Sequence, residues 1–344
     1  IIEILLPVSG CAACCKLNYL LSMNFLKRIL LLGTATALGL SAAQADHHLS
    51  VHYKGKAGPG KGKHVVLVSG DEEYRSEECL PMLGRILADH HGFDCTVLFS
   101  VNDKGEIDPN NQKSVTNSKA MASADLIIIA LRFRNWPDED MKHFVDAYHR
   151  GVPIIGLRTS THAFQLRQGS YREFNSFGKK VLGEGWVSHW GGHKREGCRG
   201  VVEESNKSHP ILMGATDIFA DSDTYEAAPP ADATILMRGL VTDSLKPDSK
   251  PVKGKQKKNR ATGKVQDVNE PAMPVAWTRE LKNPKGNTNR LFWDEIILFI
   301  CSEFLTCGKT NNVYSKLTRI FLNNSSTRVC NTNCSILFSN NTDS

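Results

Sequence analysis

Runs of apolar residues set the layout of this chain. His64-Val-Val-Leu-Val-Ser-Gly70, Asp125-Leu-Ile-Ile-Ile-Ala-Leu131 and Val152-Pro-Ile-Ile-Gly-Leu157 are short, rich in β-branched residues, and do not alternate polar with apolar. Such runs predict strands covered on both faces, as in a parallel sheet packed by helices. Between them the period changes. Leu80, Leu83, Ile86 and Leu87 recur at helical spacing, with Ser76 placed to cap, Glu77 and Glu78 in the first turn, and Gly92 to stop the element. Pro137-Asp-Glu-Asp140 opens a second helix whose buried stripe is Met141, Phe144, Val145 and Tyr148, and Gly151 closes it. Residues 94–99 predict another strand, 174–182 a helix, and 200–203, 234–238 and 273–278 short strands. Strands alternating with helices imply right-handed crossovers, so the fold class is α/β with a doubly wound, mostly parallel sheet. No internal repeat is visible.

Composition divides the chain. Met23, Lys27 and Arg28 precede the apolar run Ile29 to Leu40 and the small-x-small site Ala43-Gln44-Ala45, which reads as a secretory signal peptide over 23–45. The apolar run is short for a membrane span, so cleavage before Asp46 and no stable span afterwards are expected, with a periplasmic or secreted product. A signal peptide stands first, so residues 1–22 read as untranslated sequence upstream of Met23. Residues 46–63 are Gly/Lys-rich and read as a flexible lead-in, and 64–290 as the folded domain. From Leu291 to Ser344 the composition shifts to Asn, Ser and Thr, and this stretch reads as an anomalous, out-of-frame tail outside the fold. Within 46–290 the cysteines are Cys79, Cys95 and Cys198, which have no metal-ligand spacing and suggest no disulfide framework. The formal net charge is +6, but much of the excess lies in the surface loop Lys246 to Lys264, too local for a nucleic-acid stripe.

Ligands of open α/β sheets collect at the carboxyl ends of the strands. That edge should carry Asp71, Glu72, Glu73 and Tyr74 after the first strand, Arg132, Arg134 and Trp136 after the third, and Arg158, Thr159, Ser160 and His162 after the fourth. A nucleophile would stand at the corner Arg158 occupies, and a guanidinium cannot be one. Ser160 with His162 has no acid placed to orient the imidazole, so a structural hydroxyl is favoured. His162, His189 and His193 are the candidates for an acid/base cluster or a metal site. His189-x-x-x-His193 contains Gly191 and Gly192, which favour a loop over a helix, and it lacks the glutamate of a zinc-protease motif. Arg132 and Arg158 form a cationic rim, and Tyr74, Trp136, Trp190 and Tyr225 offer flat apolar faces. Asp71 and Asp223 offer oxygens. This mixture suits a saccharide. Glu73 and His162 are the candidate catalytic acid and base. No cofactor is expected, a divalent metal stays open, and the sequence is silent on oligomeric state.

Several segments resemble one family as a set. They are Ser69-Gly-Asp-Glu-Glu-Tyr-Arg-Ser-Glu-Glu78, Gly151 to His162, Gly183-Glu-Gly-Trp-Val-Ser-His-Trp-Gly-Gly-His193, Ser208-His-Pro-Ile-Leu212, Asp221-Ser-Asp-Thr-Tyr225 and Met273-Pro-Val-Ala-Trp-Thr278. In this order they are similar to the ThuA-like (trehalose utilisation) domain of the class I glutamine amidotransferase-like superfamily, with its flavodoxin-like fold. The resemblance implies a secreted protein of carbohydrate metabolism. Arg158 in the cysteine's place implies no amidotransferase chemistry, since the thioester needs a thiolate. It also implies a final strand and helix after Arg290, which the anomalous tail would leave missing. Three functions stay open: an enzyme moving a proton on a sugar or keto-sugar, a non-catalytic carbohydrate-binding module, and a metal-dependent hydrolase.

Overall fold

The computed structural model describes residues 49–296, except 213–214 and 216–217. The leader-like stretch and nearly all of the expected tail lie outside the described residues. Among the described residues, no helix is long and apolar enough to cross a membrane. The described residues from Val51 on form one unit, whose strands are β1 (Val51–Tyr53), β2 (His64–Gly70), β3 (Asp94–Leu98), β4 (Leu126–Leu131), β5 (Ile154–Leu157), β6 (Cys198–Val202), β7 (Ile218–Ala220), β8 (Thr234–Val241), β9 (Gln256–Lys258), β10 (Val265–Asp267), β11 (Met273–Lys282) and β12 (Thr288–Asp294). Two α-helices, α1 (Ser76–His91) and α2 (Asp138–His149), match the expected periodic stretches.

Ten strands form one sheet in the order β1-β3-β2-β4-β5-β12-β11-β8-β6-β7. The block β3-β2-β4-β5-β12 is parallel, and every other pairing in this sheet is antiparallel. The sheet is therefore mixed, not mostly parallel as expected. Parallel neighbours need a crossover of a dozen or more residues, usually helical, and no α-helix follows α2 among the described residues. The later strands instead return by turns, such as the one closed by Asn283 and Asn287 between β11 and β12. Consecutive residues of the parallel strands feed opposite cores. Val65, Leu67, Cys95 and Val97 pack with Leu80, Leu83 and Leu87 of α1. Val66, Val68, Ile127 and Ile129 pack with Met141, Phe144 and Val145 of α2. Helices on both faces explain why these strands show no alternation.

Four expectations need correction. Residues 291–294, expected to lie outside the fold, are part of a strand of it, and the helix expected to follow falls outside the described residues. β12 runs across the boundary drawn at residue 290, pairs parallel with β5 and antiparallel with β11, and buries Leu291, Phe292 and Trp293. The stretch expected as a flexible lead-in supplies the edge strand β1, paired with β3. The helix expected over 174–182 is a 3₁₀ turn, Arg172–Ser176, followed by a π turn, Gly178–Leu182. Phe174 and Phe177 stack on each other at 6.4 Å and meet Phe164 and Phe144 edge-on at 6.5 and 5.5 Å, and a Cβ at Gly178 would sit 1.9 Å from the Thr161 carbonyl oxygen. Packing against the corner after β5 therefore sets this backbone. Ser76, finally, does not cap α1. Arg75 holds the N-cap position, and the Ser76 hydroxyl accepts from the Gly70 and Asp71 amides, fastening the loop after β2. Gly92 does end α1, with φ +77° and its amide on the Ala88 carbonyl.

Candidate functional site

In chain order the parallel strands lie second-first-third-fourth-fifth, so the sense of winding switches between β2 and β4. The loops at their carboxyl ends flank the crevice where such sheets take ligands. Beside it, β5 stops at Leu157 and the chain tightens into a 3₁₀ turn, Arg158–His162. Arg158 opens that turn at φ +33°, in the left-handed region that L-residues rarely adopt. Its side chain turns inward and is 2% exposed. The guanidinium lies between the rings of Tyr74 at 4.6 Å and Tyr225 at 4.2 Å. It reaches Glu295 Oε1 at 3.2 Å and Asp223 Oδ1 at 3.5 Å, and donates to the Asp223 carbonyl at 3.0 Å. Burial alone would lower the Arg158 pKa, but Tyr225, Glu295, Tyr74 and Asp223 raise it overall, so the cation persists. Burial pushes Glu295 up to about 8 despite Arg158 beside it. A cation removed from water needs such partners.

Asp223 links this buried tie to the imidazoles. It is wholly buried, and its two oxygens accept from His189 Nδ1 at 2.9 Å and His193 Nδ1 at 3.0 Å. The two rings are 4.2 Å apart, tilted by 35°, and partly exposed. His189 bridges to Tyr225 in backbone, and the Trp190 and Gly191 amides both donate to the Thr224 carbonyl, so the loop lies against the segment that carries Asp223. A side chain at Gly191 would press on Asp223 Cβ at 3.2 Å, and its absence lets the loop close. The hairpin of β9 and β10 holds the loop from the other side. Lys257 donates to the His189 and Trp190 carbonyls, and Arg260 to that of Val187.

At the rim, Arg132 pairs with Glu72 and, at 3.3 Å, with Glu73 Oε2. Glu73 Oε1 lies 3.7 Å from His193 Nε2. The Trp186 indole is 45% exposed and lies between His162 at 5.9 Å and His189 at 5.7 Å, edge-on to both. Burial, followed by the charges of Arg132 and Arg158, pushes His162 down to about 3, so its imidazole is neutral near pH 7. The described cavities lie elsewhere; one of about 520 Å³ is lined by His209, Asp232, Arg279 and Arg290.

No family model matches the chain, and no curated protein matches it. The structure is similar to those of ThuA-like proteins. A protein designated ThuA-like from Parabacteroides merdae is 14% identical, with a TM-score of 0.43 over 73% of this chain and 92% of that one. Another from Bacteroides uniformis is 12% identical, with a TM-score of 0.42 over 78% of this chain and 94% of that one.

The structure gathers Glu73, Arg132, His162, His189 and His193 at one surface, with Tyr74, Arg158, Asp223 and Tyr225 beneath it. Arg158 is no open rim cation, contrary to expectation, because two carboxylates and two aromatic rings enclose it. Arg134 is likewise buried, donating to Ser100 and to the Pro109 and Asn111 carbonyls. Asp71 is buried and committed: it accepts from the Glu73 and Tyr74 amides and from the Thr159 hydroxyl. Ser160 donates to the Ile129 carbonyl, a structural hydroxyl with no exposure. Three expected aromatic faces are closed to ligand, Tyr225 among them at 4% exposure under the Arg158 guanidinium. Trp136 is 3% exposed and packs edge-on to Phe164, while Trp190 is 0% exposed and donates from its ring nitrogen to the Val268 carbonyl. Sequence reasoning passed over Trp186, although it lies inside the quoted Gly183–His193 motif, and Glu295, whose neighbours read as tail. Three tryptophans of similar context cannot be told apart until packing decides which remains at the surface.

Proposed function

We propose that this chain is a secreted ThuA-like protein of flavodoxin-like type that binds a sugar or keto-sugar over Trp186, His162, His189, His193, Glu73 and Arg132, and moves a proton on it. The observation that carries this reading is the exposed indole set edge-on to two imidazoles. A pyranose offers C–H faces to an aromatic ring and hydroxyls to charged or hydrogen-bonding groups, and both are on offer here. The expected acid/base role of His162 is revised: an imidazole held near 3 is a poor base at neutral pH, so it serves as a hydrogen-bonding group. Proton transfer falls to Glu73 and His193, with Asp223 holding the His193 ring and Arg132 turned toward developing negative charge. Amidotransferase chemistry is not part of the reading, since Arg158 stands at the nucleophile corner and burial pushes the Cys95 and Cys198 thiols up to about 12. The leader-like residues 23–45 support export.

The test is calorimetry of plain and 3-keto disaccharides against the wild type and Trp186→Ala, with product analysis of each mixture. Binding should weaken about tenfold or more in the variant while the melting temperature holds, because the ring is exposed. Product that disappears in Glu73→Gln marks an enzyme, and binding without product marks a binding module. Equal affinity in wild type and Trp186→Ala, or no saccharide bound at all, removes the reading.

A further inference from the structure

We infer that His189, His193 and Glu73 form a site for one divalent first-row metal ion, with Asp223 fixing both imidazoles from beneath. The site shares Glu73 and His193 with the saccharide reading, and with an ion bound these two are its ligands in place of proton carriers; the site stands on its own geometry. Nothing in the fold requires two histidines on one loop to lie side by side over a single buried carboxylate. Here the Gly191-Gly192 turn brings the rings to 4.2 Å, and Asp223 spends one oxygen on the Nδ1 of each. A carboxylate only accepts, so both Nδ1 atoms carry a proton, and in the neutral imidazole that leaves Nε2 as the ligating nitrogen. Metal-binding histidines show this arrangement: the far nitrogen donates to a carboxylate, which sets the tautomer and aims the ligating one.

The third group is Glu73. Its Oε1 is 3.7 Å from His193 Nε2, too long for a hydrogen bond. Two donors around a tetrahedral ion at metal–ligand distances near 2.0–2.1 Å lie about 3.3 Å apart, so a small closure would seat both on one ion. Its other oxygen is held by Arg132 at 3.3 Å, which leaves Oε1 for the ion and neutralises the rest of the carboxylate. His189, His193 and Asp223 each bring a nitrogen or oxygen within 4.8 Å of the others, so the two rings and the carboxylate that holds them form one compact cluster, and Glu73 reaches it through His193 Nε2. Two imidazoles and one carboxylate on one side leave positions open toward Trp186 and solvent, as in sites where the ion meets a substrate oxygen. His162, included in the expected metal set, is outside the cluster of His189, His193 and Asp223, and its ring meets Phe133 and Trp186 instead. Soft ligands are absent as well, so zinc, manganese, iron, cobalt and nickel suit the donors better than copper(I).

The full chain, stripped with chelator and then dialysed free of it, should be titrated with zinc and with manganese by calorimetry, and with cobalt by visible absorption. One ion per chain is expected for at least one of these metals. His193→Ala should abolish saturable binding and Glu73→Gln weaken it at least tenfold. Asp223→Asn should weaken it by about 10–100-fold, as for groups that orient a ligand. His189→Ala/His193→Ala removes two partly exposed rings, and circular dichroism will show whether it stays folded. Equal uptake by a folded double variant, or no uptake by the wild type, overturns the site. Repeating the saccharide titrations with chelator present separates the two ideas. Saccharide binding by a chain that takes up no ion overturns the metal site alone, and an ion bound without any saccharide overturns the saccharide reading alone.

Discussion

Arg158 takes a backbone conformation that costs energy and a buried position that costs more, and both are met by four side chains from three separate segments: Tyr74, Asp223 with Tyr225, and Glu295. Removing one partner of a buried charge leaves the others uncompensated, which typically costs about 3–5 kcal/mol. Arg158→Met should therefore lower stability by that order in urea denaturation, because Asp223 and Glu295 would lose their cation. A variant as stable as the wild type would contradict the account of Arg158 as a buried tie. Sequence reasoning placed Arg158 at the right corner, because a β-branched run ending in a polar turn marks a strand's carboxyl end. It could not give the direction of the side chain. That depends on Glu295 and Asp223, which lie 137 and 65 positions away. The same limit applies to the tryptophans, where Trp186 stays at the surface and Trp190 does not.

At the scale of elements, β12 joins the two halves of the sheet, parallel to β5 on one side and antiparallel to β11 on the other. Trp293 stacks on Trp277 at 4.2 Å and donates to the Arg158 carbonyl at 3.2 Å. Trp293→Ala should cost about 3–5 kcal/mol, measured by chemical denaturation. A chain ending at Arg290 should lose the cooperative unfolding transition, since Leu291, Phe292 and Trp293 would leave the core together. Retention of a sharp melt would show the strand to be dispensable. Composition hid this strand, because residues 291–344 taken together are rich in Asn, Ser and Thr, and the boundary drawn from that average fell inside the strand. The two long helices were legible because each carries its own period, an acidic first turn and a glycine just past its end. The turns at 172–182 were not, since aromatic packing overrides a helical period there.

The whole molecule carries a titration that the site does not need. His91, at the end of α1, is 2% exposed, and burial followed by the nearby His90 pushes it down to about 4. Below its ordinary value of 6.5 the unfolded chain binds a proton that the folded chain refuses, so this stabilisation is complete above about pH 6.5 and is lost as pH falls toward 4. Glu295, raised to about 8, acts in the opposite sense. The clean measurement is therefore the difference between wild type and His91→Asn. Between pH 7 and pH 4 that difference should move in the variant's favour by up to about 3 kcal/mol, and a pH-independent difference would place the imidazole in water.

What the sequence by itself determined was periodicity: which segments are strands or helices, that the central strands are covered on both faces, and which end of the sheet gathers charged and aromatic residues. These follow from local spacing, because a side chain's face is fixed by its place along one element. The tertiary structure decided the rest. It set which strands run antiparallel, which arginine is buried and which stays at the rim, which tryptophan keeps its face in solvent, and that one carboxylate holds two imidazoles. Each of these depends on groups far apart in the chain meeting where water is excluded, and there a charge or ring is placed by its partners and not by its neighbours in sequence.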